Sequence, residues 1–285
     1  KEVDYAIINT NDYDRYRPIF PQLKSAFSLT QPQAVRWVFS KSGDNSLYIA
    51  AHYYLESIKK DNGIQKINQQ LYEHIDSINY SSARIFQRHI KMRLPRHQGT
   101  FQTVASQYDF DWRLLAAVSY QESAWNAKAV SPTGVRGLMM LTQTTAKEMG
   151  VNNRSNPEQS IEGGAAYLRK LINRQPKEMK IEDKIWFGLA AYNAGYGHIS
   201  DARKIAKSQG VNPYNWRSVK RFIPLLQQPR WYKDTRFGYS LSANQALTYV
   251  ENIRHYYDLL LWSTLFDQPN TFVSENETAI RSTSI

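Results

Sequence analysis

Glu122 is the residue of this sequence whose type and position are best suited to acid–base chemistry. It lies in the run Trp112–Thr145, which opens with a helical pattern, and it shares one stripe of that helix with apolar residues only: Leu114, Leu115, Val118 and Trp125. Burial disfavours the charged form of a carboxyl group, so we expect the pKa of Glu122 to be raised. Such a group stays protonated near neutral pH and can act as a general acid.

A core glutamate that is satisfied by a buried partner is the alternative interpretation of Glu122. We rank it second, because an isolated carboxylate on a buried face is costly and needs a reason. After the helix, Ser131–Gly134 predicts a tight turn, in which proline fixes one dihedral angle and glycine relieves another. Gly137 then permits a close backbone approach before the apolar run Leu138–Leu141.

Composition restricts the classes of partner and of site. The 285 residues suit one large domain or two smaller ones, and the net charge of +11 predicts an acidic partner: a polyanionic wall, a membrane surface or nucleic acid. Aromatic residues make up 13% of the chain, which suits a groove that stacks sugars or bases, although most such residues are core. The absence of cysteine excludes disulfides and thiolate sites, and the six histidines show no metal-ligand spacing. We therefore expect no metal and no other cofactor.

Four motifs in the second half of the chain resemble those of the lytic murein transglycosylases, and among these the membrane-bound F type. They are Gln-Glu-Ser (121–123), Ser-Pro-Thr-Gly (131–134), Gly-Leu-Met-Met-Leu-Thr (137–142) and Ala-Tyr-Asn-Ala-Gly (191–195). Each motif alone would be weak, but their order and spread make the resemblance specific. It implies a mainly α fold with a lysozyme-like catalytic domain, preceded by an α/β remnant of a periplasmic solute-binding domain.

The chain is expected to divide into four parts. Residues 1–79 resemble the closing part of a solute-binding-type regulatory domain, with strands at Val3–Ile8 and within Leu23–Phe39 and helices over 47–58 and 64–74. Residues 80–95 predict a basic linking helix that ends at Pro95, 96–266 the catalytic domain, and 267–285 a disordered tail. Because Lys1 is not followed by a basic-then-apolar leader, we interpret the sequence as a fragment of a longer precursor.

Within the catalytic domain, caps and periodicity predict helices over 99–108, from Asp111 onward, over 142–149, 160–175 and 181–193, and a closing helix over 244–262. Asn156 is predicted to cap the fourth of these, with Pro157 in its first turn and the side chain of Gln159 reaching back. Gly163 and Gly164 are expected to let another helix pass close by. Residues 212–231 predict a loop with one short helix.

The resemblance implies a set of substrate-binding residues around the acid. It assigns sugar subsites to Tyr192 and Asn193, an approach to the catalytic carboxylate and substrate to Ser131, and a position near the acid to Tyr249. For Tyr192 and Asn193 a plain helix end closed by Gly195 also fits, and for Tyr249 a core tyrosine is nearly as good an interpretation. Met140 stands where many relatives have glutamine, and Leu241-Ser242-Ala243 stands where Arg-Gly is expected.

The mechanism that the resemblance implies needs one carboxyl group. Glu122 would protonate the β-1,4 glycosidic oxygen between N-acetylmuramic acid and N-acetylglucosamine, and would then accept a proton from the C6 hydroxyl, which closes a 1,6-anhydro ring. A muramidase or chitinase-like hydrolase remains an alternative, and would need a second carboxylate or a bound water. A catalytically silent wall-binding module and a nucleic-acid binder also remain, and the last gives no account of a buried glutamate.

The resemblance also implies partners and a location. We expect peptidoglycan glycan strands as the substrate, peripheral association with the outer membrane from the periplasmic side, and a muropeptide effector at the N-terminal module. We expect no nucleic-acid partner. No apolar run in the sequence reaches the roughly 18 residues of a membrane-spanning helix.

Overall fold

The computed structural model describes residues 44–60, 62–63 and 80–266, together with short pieces at 7–10, 13, 17, 23–26 and 37–39. The chain divides into two compact units, residues 1–85 and residues 86–285. The part of the chain that the structure describes is mainly helical and contains no strand. Its only bridges of the β type are isolated ones, which pair Arg136 with Val130 and with Leu141. The prediction of a mainly α fold is confirmed.

In the first unit, helix α1 spans Ser46–Lys60, as the periodicity predicts. The described parts of the predicted strands, residues 7–8, 23–26 and 37–39, are neither strand nor helix, and the rest of these segments lies outside the described residues. The predicted helix over 64–74 and the tail over 267–285 also lie outside them. The solute-binding-type remnant and the four domain boundaries therefore stay predictions.

The remaining helices follow in chain order. They are α2 (Tyr80–Met92), α3 (Gln98–Gln107), α4 (Trp112–Ser123), α5 (Gln143–Glu148), α6 (Pro157–Asn173), α7 (Ile181–Ala194), α8 (Tyr196–Ser208), α9 (Trp216–Val219), α10 (Pro229–Tyr232) and α11 (Ala243–Phe266), with 3₁₀ turns at Leu94–Arg96, Lys220–Phe222 and Pro224–Gln227. No helix in the described part of the chain combines the length and the apolar composition that crossing a membrane requires.

Helix α4 forms the centre of the second unit. Seven successive residues, 114–120, are buried, so this helix is enclosed on all sides rather than along one stripe. It packs against α3 and α11, while α7 packs against α6, α8 and α11. Burying a large apolar side chain contributes about 1.5–3 kcal/mol, and the fully buried Leu115 and Val118 anchor the helix that carries Glu122.

Three local predictions differ from the structure. The side chain of Gln159 does not return to the cap residue; its Oε1 accepts the backbone N–H groups of Asn152 and Asn153, at 3.1 and 2.9 Å. Gly163 and Gly164 face the side chains of Val151 and Met139, so they make room for loops and not for a helix. Residues 212–231 contain a succession of short helices rather than one.

Candidate active site

The two ends of α4 are fixed by local chemistry. At its start, the carboxylate of Asp111 accepts the backbone N–H of Arg113 at 2.9 Å, which is the side-chain cap expected of aspartate. At its end, Ala124 and Trp125 both adopt left-handed backbone conformations, with φ of 48° and 57°. These angles stop the helix at Ser123, so Glu122 lies in the last turn, at the rim of the core.

Trp125 therefore lies beyond the helix and not on its stripe. Its side chain turns back to the core, where it is 2% exposed and its indole N–H donates to the carbonyl of Ala116 at 2.8 Å. Phe86 and Tyr120 pack against the Trp125 ring, with centroids 5.5 and 4.7 Å away. This aromatic cluster holds the strained turn that follows Glu122.

Glu122 is half-buried and accepts a hydrogen bond from the hydroxyl of Tyr249, with 2.5 Å between Oη and Oε1. Burial raises the pKa of Glu122 to about 7, and the Tyr249 hydrogen bond acts in the opposite direction, because it stabilises the carboxylate. The sequence-based expectation of a raised pKa agrees with this geometry. With a pKa near 7, both the protonated and the ionised form of the group are populated at neutral pH, which suits both donation and acceptance of a proton.

Two tyrosines from two other helices stand beside this acid. Tyr249 comes from α11 and is buried, and Tyr192 comes from the last turn of α7. Burial and the charge of Glu122 raise the pKa values of both phenols well above their ordinary value, so both remain hydroxyl donors. The Tyr192 hydroxyl donates to the carbonyl of Met139 at 2.8 Å.

The segment 137–141 forms a wall beside Glu122, and two serines of α4 bind this segment through hydrogen bonds. The hydroxyls of Ser119 and Ser123 both donate to the carbonyl of Leu138, at 3.1 and 2.9 Å. Gly137 has φ of +84°, and a Cβ at this position would lie 1.8 Å from the carbonyl oxygen of Arg154. Position 137 therefore requires glycine, as the sequence analysis expects from the close backbone approach. The hydrogen bonds of Ser119 and Ser123 to the Leu138 carbonyl were not predicted from the sequence.

The other predicted binding residues lie around this core without a described bond to Glu122. Ser131 opens the predicted turn, with a 3.0 Å bond from the N–H of Gly134 to its carbonyl, and its hydroxyl accepts the N–H of Val135 at 3.2 Å. Met140 is half-buried with φ of 46°, and Asn193 is exposed in the last turn of α7. Their assignment to substrate binding stays a prediction.

The segment 241–243, which stands where the resemblance implies Arg-Gly, leads into α11. Leu241 is 78% exposed, and its carbonyl accepts the side-chain amide of Gln227 at 3.1 Å. The carbonyl of Ser242 accepts the N–H of Ala246 at 2.9 Å, so the chain enters α11 without a glycine. An exposed leucine here leaves an apolar surface where a cation is expected.

Asp109 and Asp111, at the start of α4, have cationic and hydrogen-bonding partners at that end of the helix. Asp111 pairs with Arg113 at 3.2 Å and accepts the hydroxyl of Tyr257 at 3.0 Å, while Asp109 lies 3.7 Å from Arg169. Eleven residues separate Asp111 from Glu122, which is about 16 Å along a helix. These carboxylates cannot act on the same bond as Glu122.

The family model and the curated relatives that match this chain both describe transglycosylases. Residues 99–215 match the transglycosylase SLT domain. The chain is 45% identical over 278 residues to "Membrane-bound lytic murein transglycosylase F" of Hahella chejuensis, with 98% of this chain and 54% of that protein covered. The protein of the same name from Shewanella woodyi is 42% identical over 284 residues, with coverage of 100% and 58%. The chain thus spans about half the length of the curated relatives it matches.

Two solved structures also align with part of the chain. An inactive mutant of lytic transglycosylase Slt from Pseudomonas aeruginosa is 20% identical, with a TM-score of 0.43, and the alignment covers 61% of this chain and 25% of that one. The 70 kDa soluble lytic transglycosylase from Escherichia coli is 22% identical, with a TM-score of 0.43 and coverage of 59% and 24%.

Proposed function

Since this chain carries a transglycosylase SLT domain and is a relative of the membrane-bound lytic murein transglycosylases F, we propose that it cleaves peptidoglycan glycan strands. The bond is the β-1,4 linkage between N-acetylmuramic acid and N-acetylglucosamine. The observation that carries the proposal is a single half-buried carboxyl group, Glu122, with a pKa near 7 and a 2.5 Å bond to Tyr249.

Glu122 acts first as a general acid in this proposal. Its proton goes to the glycosidic oxygen, the C1–O bond of the muramic residue breaks, and the N-acetylglucosamine end leaves with a free hydroxyl. Positive charge develops on the muramic ring, where the N-acetyl group of the same sugar stabilises it. The hydroxyl of Tyr249 stabilises the carboxylate that Glu122 becomes.

Glu122 acts next as a general base. It takes the proton of the muramic C6 hydroxyl, the oxygen of which attacks C1 and closes a 1,6-anhydro ring. Glu122 is protonated again at the end, and no water is consumed. One group serves both steps because a pKa near the working pH favours neither state strongly.

A hydrolase with two carboxylates is the second candidate, and the geometry disfavours it. The carboxyl pairs of ordinary glycosidases lie about 5–9.5 Å apart. The pKa of Glu122 is shifted by burial and by Tyr249, and no other carboxylate in the described part of the chain contributes to that shift. Asp109 and Asp111 lie at the opposite end of α4.

The residues around the acid receive roles in the same proposal. Tyr249 orients Glu122, Tyr192 and Asn193 line sugar subsites at the end of α7, and Ser131 approaches the substrate from the turn. Met140 contacts the substrate without the hydrogen bond that a glutamine would supply. The serine contacts to the Leu138 carbonyl support this proposal, because they fix the wall 137–141 against the helix that bears the acid.

The cellular setting is proposed from the names of the relatives. They are called membrane-bound, so we propose a periplasmic location with peripheral attachment to the outer membrane. Residues 1–79 are proposed to close a solute-binding-type module that takes a muropeptide effector, 80–95 to link it, 96–266 to form the catalytic domain and 267–285 to form the tail.

The products released from purified sacculi test the proposed reaction. Muropeptides with 1,6-anhydromuramic ends are expected, lighter by one water than hydrolytic products and resistant to borohydride reduction. Mass spectrometry before and after reduction distinguishes the two. Reducible muramic ends would instead establish a hydrolase, and intact sacculi would establish a binding module.

A further inference from the structure

An open cavity of about 690 Å³ lies between the end of α8 and the segment 230–236. None of its lining residues comes from α4, α7 or α11. Its wall combines four cations with one carboxylate and one indole ring: Lys204, Arg230, Lys233, Arg236, Asp234 and Trp231. Lys204 lies eight residues after the start of α8, which is about 12 Å along that helix.

Three of the four cations have no anionic partner in the described part of the chain. Arg230, Lys233 and Arg236 form no ion pair there, whereas Lys204 reaches Asp201 at 3.4 Å. Arg230 lies over the ring of Trp231, 5.4 Å from its centroid, which leaves the edge of the guanidinium group free to donate hydrogen bonds. The three side chains are exposed, and Asp234 is the one carboxylate in the lining, so the rim of the cavity presents an excess of positive charge to a ligand.

The segment that carries these cations is fixed by its own hydrogen bonds. The carboxylate of Asp201 is fully buried and accepts the N–H of Phe237 at 2.7 Å, which ties the segment to α8. The N–H of Thr235 donates to the carbonyl of Tyr232 at 3.0 Å, and its hydroxyl accepts the N–H of Gly238 at 3.1 Å. A binding site held in this way loses little conformational freedom when it takes a ligand.

The charges of the wall define the ligand chemistry. Unpaired cations attract carboxylates or phosphates, the Trp231 ring suits an aliphatic stem, and Asp234 suits an ammonium group. The volume lies within the roughly 300–1,000 Å³ of small-ligand sites, and a concave site does not fit a flat bilayer. A short peptide with several carboxylates and one free amine meets all of these conditions.

We propose that this cavity binds the stem peptides that branch from peptidoglycan strands, with the cations on their carboxylates and Asp234 on their free amine. The choice of this polymer rests on the proposed function. The cavity then gives the protein a second binding site for its substrate, formed by residues other than those around Glu122. Strands that bear peptides are bound more tightly than bare glycan.

Calorimetric titration of the full chain with N-acetyl-L-alanyl-γ-D-glutamyl-meso-diaminopimelate, a tripeptide with three carboxylates and one free amine, tests the binding. Two or three charge-assisted bonds at an open cavity predict a dissociation constant of about 1 mM or tighter, which weakens as salt is added. The triple variant Arg230→Gln/Lys233→Gln/Arg236→Gln should bind at least about tenfold more weakly. The matched control Lys147→Gln/Lys177→Gln/Lys180→Gln removes the same charge from equally exposed residues outside the cavity and should bind like the wild type.

Other outcomes overturn the proposal. Wild-type protein that does not bind the tripeptide, or a cavity variant that binds it as tightly and with as many sites per chain as the control does, removes the site. Inorganic phosphate and phosphatidylglycerol vesicles are titrated in parallel. If either one binds with the same dependence on the three cations while the tripeptide does not, the cavity is a phosphate or lipid site. Thermal unfolding of the cavity variant at the wild-type temperature excludes a loss by misfolding.

Cleavage assays separate this proposal from the proposed reaction. Formation of 1,6-anhydro ends is measured on soluble, uncross-linked glycan strands that carry their peptides and on the same strands after an amidase has removed the peptides. The cavity variant should lose rate on the first substrate and keep the wild-type rate on the second. If the wild type cleaves neither, the proposed reaction fails, while the titration still decides whether the cavity binds the peptide.

Discussion

The helix pair α4 and α11 carries two hydrogen bonds between a tyrosine and a carboxylate, one near each end of α4. Tyr249 donates to Glu122 at 2.5 Å, and Tyr257 donates to Asp111 at 3.0 Å. The two sites use the same donor and the same kind of acceptor on the same pair of helices. They differ in the position of the carboxylate along the helix and in the other groups that contact it.

Asp111 lies at a helix N-terminus, where charge on the carboxylate is favoured. It accepts the N–H of Arg113, pairs with the guanidinium of that residue at 3.2 Å, and its side chain is 30% exposed. Glu122 lies at the opposite end of the helix, where the dipole is unfavourable to an anion, and Tyr249 is the partner that the structure gives it. The comparison shows that local surroundings, rather than the tyrosine bond, give one carboxyl group a structural role and the other the properties of a catalytic acid.

Replacement of the two carboxylates by amides should give the largest contrast. Glu122→Gln keeps the shape of the side chain but can neither donate nor accept the proton, so release of muropeptides should fall by about 10⁴-fold, the upper end for acid–base catalysis. The matched change Asp111→Asn keeps a good capping residue and should leave the rate within about threefold. Turnover on sacculi measures both. Near wild-type rates for the glutamine variant would remove Glu122 from the mechanism.

The stability of the Glu122→Gln variant should depend on pH in a direction that follows from the raised pKa. Folding shifts the pKa of Glu122 from 4.5 to about 7, so the folded state binds the extra proton between these values. The carboxyl group costs nothing below about pH 4, and it destabilises the folded wild type increasingly as the pH rises through 7. The amide removes this cost.

Relative to its difference from the wild type at pH 4, the glutamine variant should gain up to about 3 kcal/mol at pH 8, since each pKa unit corresponds to about 1.4 kcal/mol. Denaturant unfolding at the two pH values measures the gain. Asp111→Asn serves as the control, and its stability relative to the wild type should not improve at pH 8. A glutamine variant without such a gain would mean that Glu122 is more hydrated than the structure shows.

Loss of the cap at the start of α4 should cost an intermediate amount. Asp111→Ala removes the acceptor for the N–H of Arg113, the ion pair and the partner of Tyr257. A free energy of unfolding lower by about 1–2 kcal/mol is expected, because caps of this kind contribute that much. Denaturant unfolding at pH 7 measures it, with Asp111→Asn retaining most of the stability. Equal losses in both variants would show that the charge and not the cap matters.

The same comparison indicates how far the sequence predicts the molecule. The cap at Asp111, the turn at Ser131–Gly134 and the helix start at Asn156 were predictable, because each depends on residues within four positions of one another. The mainly α fold follows from periodicity over the longer helices. The position of Tyr249 beside Glu122 spans 127 residues, and only the resemblance to a family indicated it.

Other features were missed because their causes are not local. Helix α8 begins at Tyr196, directly after Gly195, which ends α7, and a glycine at that place predicts the end of a helix but not the start of the next one. Ala124 and Trp125 adopt left-handed backbone conformations, although neither is a glycine or an asparagine, the residue types that would have indicated it. The aromatic cluster around Trp125 stabilises this conformation. The serine bonds to the Leu138 carbonyl depend on how a loop packs against α4, which no pattern within α4 reveals.

Removal of the two tyrosine hydroxyls should give the smallest and most selective effects. Tyr249→Phe keeps the ring and its packing but removes the hydrogen bond that holds the pKa of Glu122 down, so that pKa should rise further. The alkaline limb of the rate profile should then move to higher pH, while turnover falls by about tenfold, the lower end of what one hydrogen bond to a charged group contributes. The matched variant Tyr257→Phe should leave the profile in place and lower stability by about 1 kcal/mol.

Rates on sacculi across the pH range, together with unfolding curves for both variants, measure these effects. The shift of the alkaline limb is the discriminating readout, because a purely structural role for Tyr249 would lower stability without moving the pKa that governs the rate. If Tyr257→Phe moved the limb and Tyr249→Phe did not, the titrating group would lie at the Asp111 end of α4. The assignment of the two carboxylates would then have to be exchanged.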